Sequence, residues 1–451
     1  MKKLLIPILY LSISVSLYAQ EGSKKGEIDL SGINELYVMI DAGMEITLTG
    51  TNSQSLNYEY EFDGNAEAYS HFFENFAPEL EQNGSQSRLV IDFPKQSGQR
   101  VNHRIKKHSI NITLPRELIL ELETRYSKVS ASDFTRGVDI KNRSGLVQIR
   151  NSKQLVSVKN EYGDVVITDV EGELTISNRS AKVDVKNITG NVTMSTQYSK
   201  MNISNIRGTV DISNRSGTLN AFDITGDMKL SGSYMEYELT DISGAIDMSN
   251  KSGKVTLDSS HSFAMSGEYT HVNAVNITGE RGVEISGKSA TITLTNVTEN
   301  VSIDGQYLKI SLKDIDGEAQ IYNKSAEVRI DGLGENLLIE GEYMPVNVKN
   351  FKGSTLEIIN RSNDITVEAI NELDLVMIDS QYGDVTLHLK KKYSGSINVE
   401  TRYGKFTSSL VIDSQQLTKS NNELVLSGTV GSGNGQMVIK TRSADIRVDQ
   451  Q

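Results

Sequence analysis

The chain has 451 residues and a formal net charge of −12, with neither cysteine nor tryptophan. Without cysteine there is no disulfide framework, thiol nucleophile or thiolate metal site, and the acidic balance argues against a nucleic-acid partner. Hydrophobic residues make up 37% and charged residues 23%, which suits a narrow core better than a large compact one.

In chain order, Lys2 and Lys3 form a positive start, Leu4 to Val15 an apolar stretch, and Ala19 before Gln20 a cleavage point. This is the pattern of a secretory signal peptide over residues 1–19. No cysteine comes after it, so lipoprotein anchoring is not expected, and no second long apolar run predicts an integral membrane protein. The expectation is an exported protein that is periplasmic, on the outer surface or extracellular.

Residues 20–120 read as a β-rich cap region. Leu36–Gly50 and Ser55–Phe62 alternate like strands. Ala66 to Phe76 predicts a short helix with Phe72, Phe73 and Phe76 on one face, covering the first layer of the repeats beyond it. A partner-binding helix is the alternative. The basic run Arg100–His108 reads as a solvated loop, or as a contact for an anionic envelope polymer.

Residues 121–404 are dominated by self-similarity. NRSG at Asn142, NRSA at Asn178, NRSG at Asn214, NKSG at Asn250, GKSA at Gly287, NKSA at Asn323 and NRSN at Asn360 recur about every 36 residues. Midway between them fall Tyr126, Tyr162, Tyr198, Tyr234, Tyr269, Tyr307, Tyr343 and Tyr382. The unit is therefore a rung of about 18 residues whose first position alternates tyrosine and serine. In the rung that starts at Tyr162, the aliphatic residues are Val165, Ile167, Val170, Leu174 and Ile176, at rung positions 4, 6, 9, 13 and 15. The pairs at 4/6 and 13/15 have period two, the mark of short strands with one buried face. Position 8 (Asp169, Asn187, Asn205), position 11 (Gly172, Gly190, Gly208) and position 17 (Asn178, Asn214, Gly232) hold residues that tolerate left-handed backbone and so predict bends. Successive rungs run the same way round, so the fold class is all-β: a single-stranded parallel β-helix, or β-solenoid.

Position 18 alternates as well. Before serine it is basic (Arg143, Arg179, Arg215, Lys251, Lys288, Lys324, Arg361), and before tyrosine it is Glu161, Gln197, Ser233, Glu268, Gln306, Glu342 or Gln381. In a parallel stack these side chains form one column, where alternating charge would fix the register. The tyrosines Tyr162, Tyr198, Tyr234, Tyr269, Tyr307 and Tyr343 form a second column. Large rings over small neighbours are one reason for it. An aromatic stripe that docks a glycan or another surface protein is the other, and makes these six residues the candidate binding site.

Residues 405–451 read as C-terminal rungs and cap. After Tyr403 the pattern loosens, then resumes at Ser443 with SADIRV. The glycine-rich Gly428–Gln436 lacks the Lys-Ser/Thr of a phosphate-binding loop.

Parallel β-helices include polysaccharide lyases and hydrolases, but those need long loops to wall a cleft, and the rungs from Tyr126 to Ser362 are almost uniform. Asp223 and Asp241 stack at position 8, where paired acids could act as acid and nucleophile; asparagine fills that position in other rungs, which favours a turn-forming role. The six histidines show no ligand spacing. Neither catalytic residues nor a cofactor or metal is expected.

The segment Ser109–Asp133, the rungs after it, and Gly433–Ile446 together resemble the bacterial "putative adhesin" family of unknown function, and Ala42–Gly50 is similar to the start of the related head-domain adhesins. The resemblance implies a right-handed β-helix at the cell envelope and supplies no catalytic residues. The resulting expectation is a non-enzymatic, adhesin-like structural or binding protein. A carbohydrate-binding module using the tyrosine stripe and an envelope-stress accessory are alternatives, with a polysaccharide lyase or hydrolase behind them.

Overall fold

The computed structural model describes residues 20–64, 72–83, 86–93 and 105–450. The expected signal peptide lies outside the described residues, as do residues 66–71 of the expected helix and 100–104 of the basic run. The fold is all-β, built of parallel stacked solenoid turns with ~18-residue spacing. It divides into two compact units, Met1–Lys153 and Gln154–Gln451.

In the first unit, Glu35–Ile40 and Glu45–Thr51 are strands because buried residues alternate along both. They are also a rung, although they lie outside the periodic part of the sequence. Glu35–Ile40 pairs in parallel with both Gln86–Ile91 and Ile119–Thr124. Glu45–Thr51 does the same with Ile105–Pro115 and Lys128–Ser132. The chain thus lays down an inner layer first and returns later to form the layers on either side. The free edge of Ile105–Pro115 is covered by Ser55–Gly64, antiparallel, which is itself covered by Gln20–Asp29. An exposed parallel edge would invite pairing with other chains.

One of the sequence expectations is corrected by the first unit. Ile105–His108 is not a solvated loop but the start of a strand, and its lysines pair with the acids of the antiparallel partner, Lys107–Glu61 at 2.7 Å and Lys106–Asp63 at 3.4 Å. The described part of the expected helix, residues 72–74, is helical. Its phenylalanines pack within the unit: Phe76 and Phe73 lie 4.5 and 5.7 Å from Tyr60, and Phe72 lies 4.7 Å from Phe93. His108 stands edge-on to Phe93 at 5.0 Å in the same cluster.

In the second unit, residues 18 apart pair in parallel: Val165 with Val183, Val183 with Met201, Met201 with Leu219 on one face, and Leu174 with Val192, Val192 with Val210, Val210 with Met228 on another. All of these are buried. Position 8 turns the chain through left-handed backbone, with φ near 58° at Asp169 and Asn187 and 56° at Asn205. Short polar side chains tolerate that region best among residues other than glycine. They also bond to one another up the stack: Asn187 donates to Asp169 (2.8 Å) and Asn205 to Asn187 (2.7 Å).

Position 11 works differently from expectation. Gly172 and Gly190 have positive φ, but Gly208, Gly226 and Gly244 do not. Glycine is needed there because a Cβ on Gly208 would run into the carbonyl of Gly190 below it, and one on Gly226 into that of Gly208.

The C-terminal end repeats the device seen in the first unit. Gly435–Thr441 inserts in parallel between Leu375–Ser380 and Gly395–Thr401, and Ile446–Gln450 between Val385–Leu389 and Phe406–Ser408. The last rung in the sequence is therefore the penultimate layer in space. The outer edge of Gly395–Thr401 is covered by the antiparallel pair Glu423–Val430 and Asp413–Ser420.

Gly208→Ala should destabilise the protein by about 2–3 kcal/mol through backbone overpacking, read as a lower midpoint in guanidinium unfolding, whereas Thr209→Ala beside it should change little. Burial pushes His108 down to about 4, partly offset by a hydrogen bond with the Gly43 backbone. A folded pKa below the unfolded value of about 6.5 means that stability is complete above pH 6.5 and is lost as pH falls from there toward 4, by up to ~3 kcal/mol. His108→Phe should flatten this dependence in melts taken across that range; an unchanged pH profile would refute the assignment.

Candidate functional surface

The tyrosine corner is built from rung positions 17, 18, 1 and 2. In tyrosine rungs position 17 is an asparagine whose side chain is buried, not a left-handed turn residue as expected: Asn178, Asn214, Asn250, Asn323 and Asn360. Each closes its own rung by reaching back to the residue just after the tyrosine. Asn178 donates to the Gly163 carbonyl (2.9 Å) and Asn214 to that of Ser199 (3.1 Å). Asn250, Asn323 and Asn360 donate to Met235, Leu308 and Met344 and accept those residues' N–H groups in return, at 2.8–3.3 Å. The Tyr269 and Tyr382 rungs are exceptions, with Gly287 and Thr401 at this position.

A second rule links position 17 of a serine rung to position 2 of the next rung. Where position 2 is small, position 17 is polar: Asn160 with Gly163, Thr196 with Ser199 and Ser380 with Gly383, and Thr401, which ends the Tyr382 rung, stands in the same relation to Gly404. In the middle rungs position 2 is larger and position 17 is glycine: Gly232 with Met235, Gly267 with Thr270, Gly305 with Leu308 and Gly341 with Met344. The reason is steric. A Cβ on Gly232 would lie 2.6 Å from the Met235 Cγ, and one on Gly341 would strike the Met344 methyl. The repeat thus has two interchangeable corners, one polar and one apolar.

On this frame the six predicted tyrosines stand in one column at the surface, between 45% (Tyr343) and 55% (Tyr234) exposed. Tyr198 pairs with Ser216 and Ser216 with Tyr234, so the rings recur every second layer. The inserted C-terminal rung preserves this. The sequence places Tyr382 and Tyr403 in successive rungs, breaking the alternation; in space Ser443 donates its N–H to Gln381 and Tyr403 donates to Arg442, so the order becomes Tyr382, Ser443, Tyr403. The missing serine rung was the signal in the sequence that could have revealed the insertion.

The cations of position 18 lie beside the rings. The guanidinium carbon of Arg179 is 5.6 Å from the centre of Tyr162, that of Arg215 6.0 Å from Tyr198, and that of Arg361 5.9 Å from Tyr343. Arg179 also donates to the Tyr162 hydroxyl at 2.8 Å. At these arginines the expected charge column also makes cation–π contacts, each worth about 0.5–1 kcal/mol at an exposed site.

Asp223 and Asp241 are both left-handed turn residues, with φ of 54°. Arg207 grips Asp223 through two bonds, at 2.8 and 3.0 Å, and holds its carboxyl below the usual range. They line an open hollow with Ser259, Ser260, His261 and Asn276. Among the described residues no three His, Asp or Glu side chains converge as a metal would need.

These features define an all-β parallel solenoid whose surface is ruled into columns. The chain belongs to the Toastrack DUF4097 family, a domain of unknown function, whose model matches residues 33–295 and 278–449. The resemblance read from the sequence is thereby borne out. Two solved structures are similar: a "putative cell adhesion protein" from Clostridium sporogenes, 9% identical over 96% of this chain and 100% of that one, and a "putative lipid binding protein" from Parabacteroides distasonis, 12% identical over 71% of this chain and 98% of that one, each with a TM-score of 0.18. No curated protein matches the chain.

The corner rule is testable by a double-mutant cycle. Ser199→Met and Thr196→Gly should each destabilise the protein by about 1–3 kcal/mol, while the double variant, which copies the Gly232/Met235 corner, should recover at least about 1 kcal/mol of the summed loss. Strictly additive losses in chemical unfolding would refute the coupling.

Proposed function

We propose that this chain is an exported, non-enzymatic, adhesin-like scaffold of the bacterial cell envelope, with the tyrosine corner as its binding surface. The observation that carries this reading is the half-exposed tyrosine column, kept at two-layer spacing even where the chain must insert its last rung to do so. Relief of crowding accounts for the serine layers between the rings, but not for rings that stay half exposed. The amino-terminal signal pattern supports export, and among the described residues no helix is long and apolar enough to cross a membrane.

The non-enzymatic part of the proposal rests on the corners. In the second unit most strands of adjacent sheets are joined by a few residues, so there are no long loops to wall a cleft. The acidic pair that could have served as acid and nucleophile is occupied as a turn and, at Asp223, as an ion pair.

Protease treatment of intact producing cells, together with fractionation, should find the protein in the envelope or outside it; recovery in the cytosol alone would overturn the reading. Purified protein incubated with acidic polysaccharides should release no product. Turnover that Asp223→Asn or Asp241→Asn abolishes would establish an enzyme instead.

A further inference from the structure

We propose that the tyrosine corner of the second unit binds an acidic polysaccharide that carries one anionic group per disaccharide, with the cations of position 18 as the anion contacts. This rests on the reading of the corner as a binding surface.

The cations are more regular than a stacking role requires. Arg179, Arg215, Lys251, Lys288, Lys324, Arg361 and Arg442 occupy every second layer, and all are exposed. If they served only to alternate charge and hold the register, each would need an acid in the next layer. Glu161, Glu268 and Glu342 are acids, but Gln197, Ser233, Gln306 and Gln381 fill the other places, so Arg215 and Arg442 have no acid in either adjacent layer. The cation is kept while its neighbour varies, which points outward from the stack rather than along it.

Geometry supplies the spacing. Two layers span roughly 9.6 Å, twice the distance between paired strands. A disaccharide in an extended glycan has about this length, so one anion per disaccharide meets one cation per two layers. Arg179, Arg215 and Arg361 are held against the rings of Tyr162, Tyr198 and Tyr343. A guanidinium carries five N–H donors, so even Arg179, which spends one on the Tyr162 hydroxyl, keeps donors suited to a carboxylate. Sugar rings can then lie against the exposed tyrosines between the anion contacts. A polymer charged on every sugar fits less well, because its alternate anions would face Glu161, Glu268 and Glu342. The chain as a whole is acidic at −12, so general attraction does not supply polyanion binding and the local column must.

The test uses the full-length exported protein on immobilised hyaluronan (one carboxylate per disaccharide), polygalacturonate (one per sugar), neutral dextran, and vesicles containing phosphatidylglycerol. Retention should be strongest on hyaluronan and fall as salt is raised. The triple change Arg179→Gln, Arg215→Gln, Arg361→Gln should weaken it at least tenfold. Lys288→Gln with Lys324→Gln, which removes cations without disturbing those three rings, should weaken it in the same direction at an unchanged unfolding midpoint. Equal or tighter retention on polygalacturonate, binding to vesicles alone, or retention untouched by both variants would overturn the proposal. Retention on dextran that is lost in Tyr198→Ser, Tyr234→Ser, Tyr269→Ser would overturn the acidic polymer and keep the corner as a binding surface. No retention on any of the four would overturn both.

Discussion

Everything in the second unit depends on hydrogen bonding in parallel register between residues 18 to 20 apart along most of its length. That pairing sets each side chain directly above its equivalent in the rung below, so every rung position becomes a column and every column must suit self-stacking. Aliphatic columns become the core. Asparagine columns become amide ladders that start on an aspartate, as at Asp169, Asn187 and Asn205, because the first amide needs an acceptor beneath it. Glycine columns appear where one backbone lies on the next, as at Gly190 and Gly208. A single rung could not persist: five buried aliphatics contribute about 1.5–3 kcal/mol each, against an ordering cost of about 1–2 kcal/mol for every residue of the rung. Stability belongs to the stack.

This dependence explains what could be read without coordinates. Periodicity reports columns, so the buried positions 4, 6, 9, 13 and 15 were legible from residues such as Val165, Ile167, Val170, Leu174 and Ile176, and so was the left-handed position 8. What could not be read was the reason a small or polar residue recurs. Asn178 and Gly208 both looked like turn residues. One is a buried clamp on Gly163, and the other is forced by a carbonyl in the rung below. Composition signals a bend and a close contact in the same way; only the neighbouring layer separates them. The basic run before His108 failed for a related reason, since its partners Glu61 and Asp63 lie on an antiparallel strand far away in sequence.

The ends show the same logic under a different constraint. A parallel stack leaves an open edge at its last layer, and both units cover that edge with antiparallel strands. Each also threads a terminal segment of the repeat into an inner layer: Glu35–Thr51 in the first unit, Gly435–Gln450 in the second. A segment held by neighbours on both sides exchanges its edges for backbone pairing. It also means that sequence order and spatial order part company at the ends. The irregularity after Tyr403 marks that parting rather than a decay of the repeat.

The surface alternation is best understood against this background. Self-stacking favours uniform columns, so a column that alternates strictly runs against the simplest solution and needs its own cause. Rings over serines relieve crowding, but in five rungs an asparagine (Asn178, Asn214, Asn250, Asn323 or Asn360) also anchors the residue just after the ring, bonded to it within the same layer. The ring is thereby carried on a fixed corner while remaining half exposed. A surface ordered in this way would give up less freedom on association than a mobile one. A ligand made of repeating units gains most from such a surface, because each further layer adds the same contact at the same spacing.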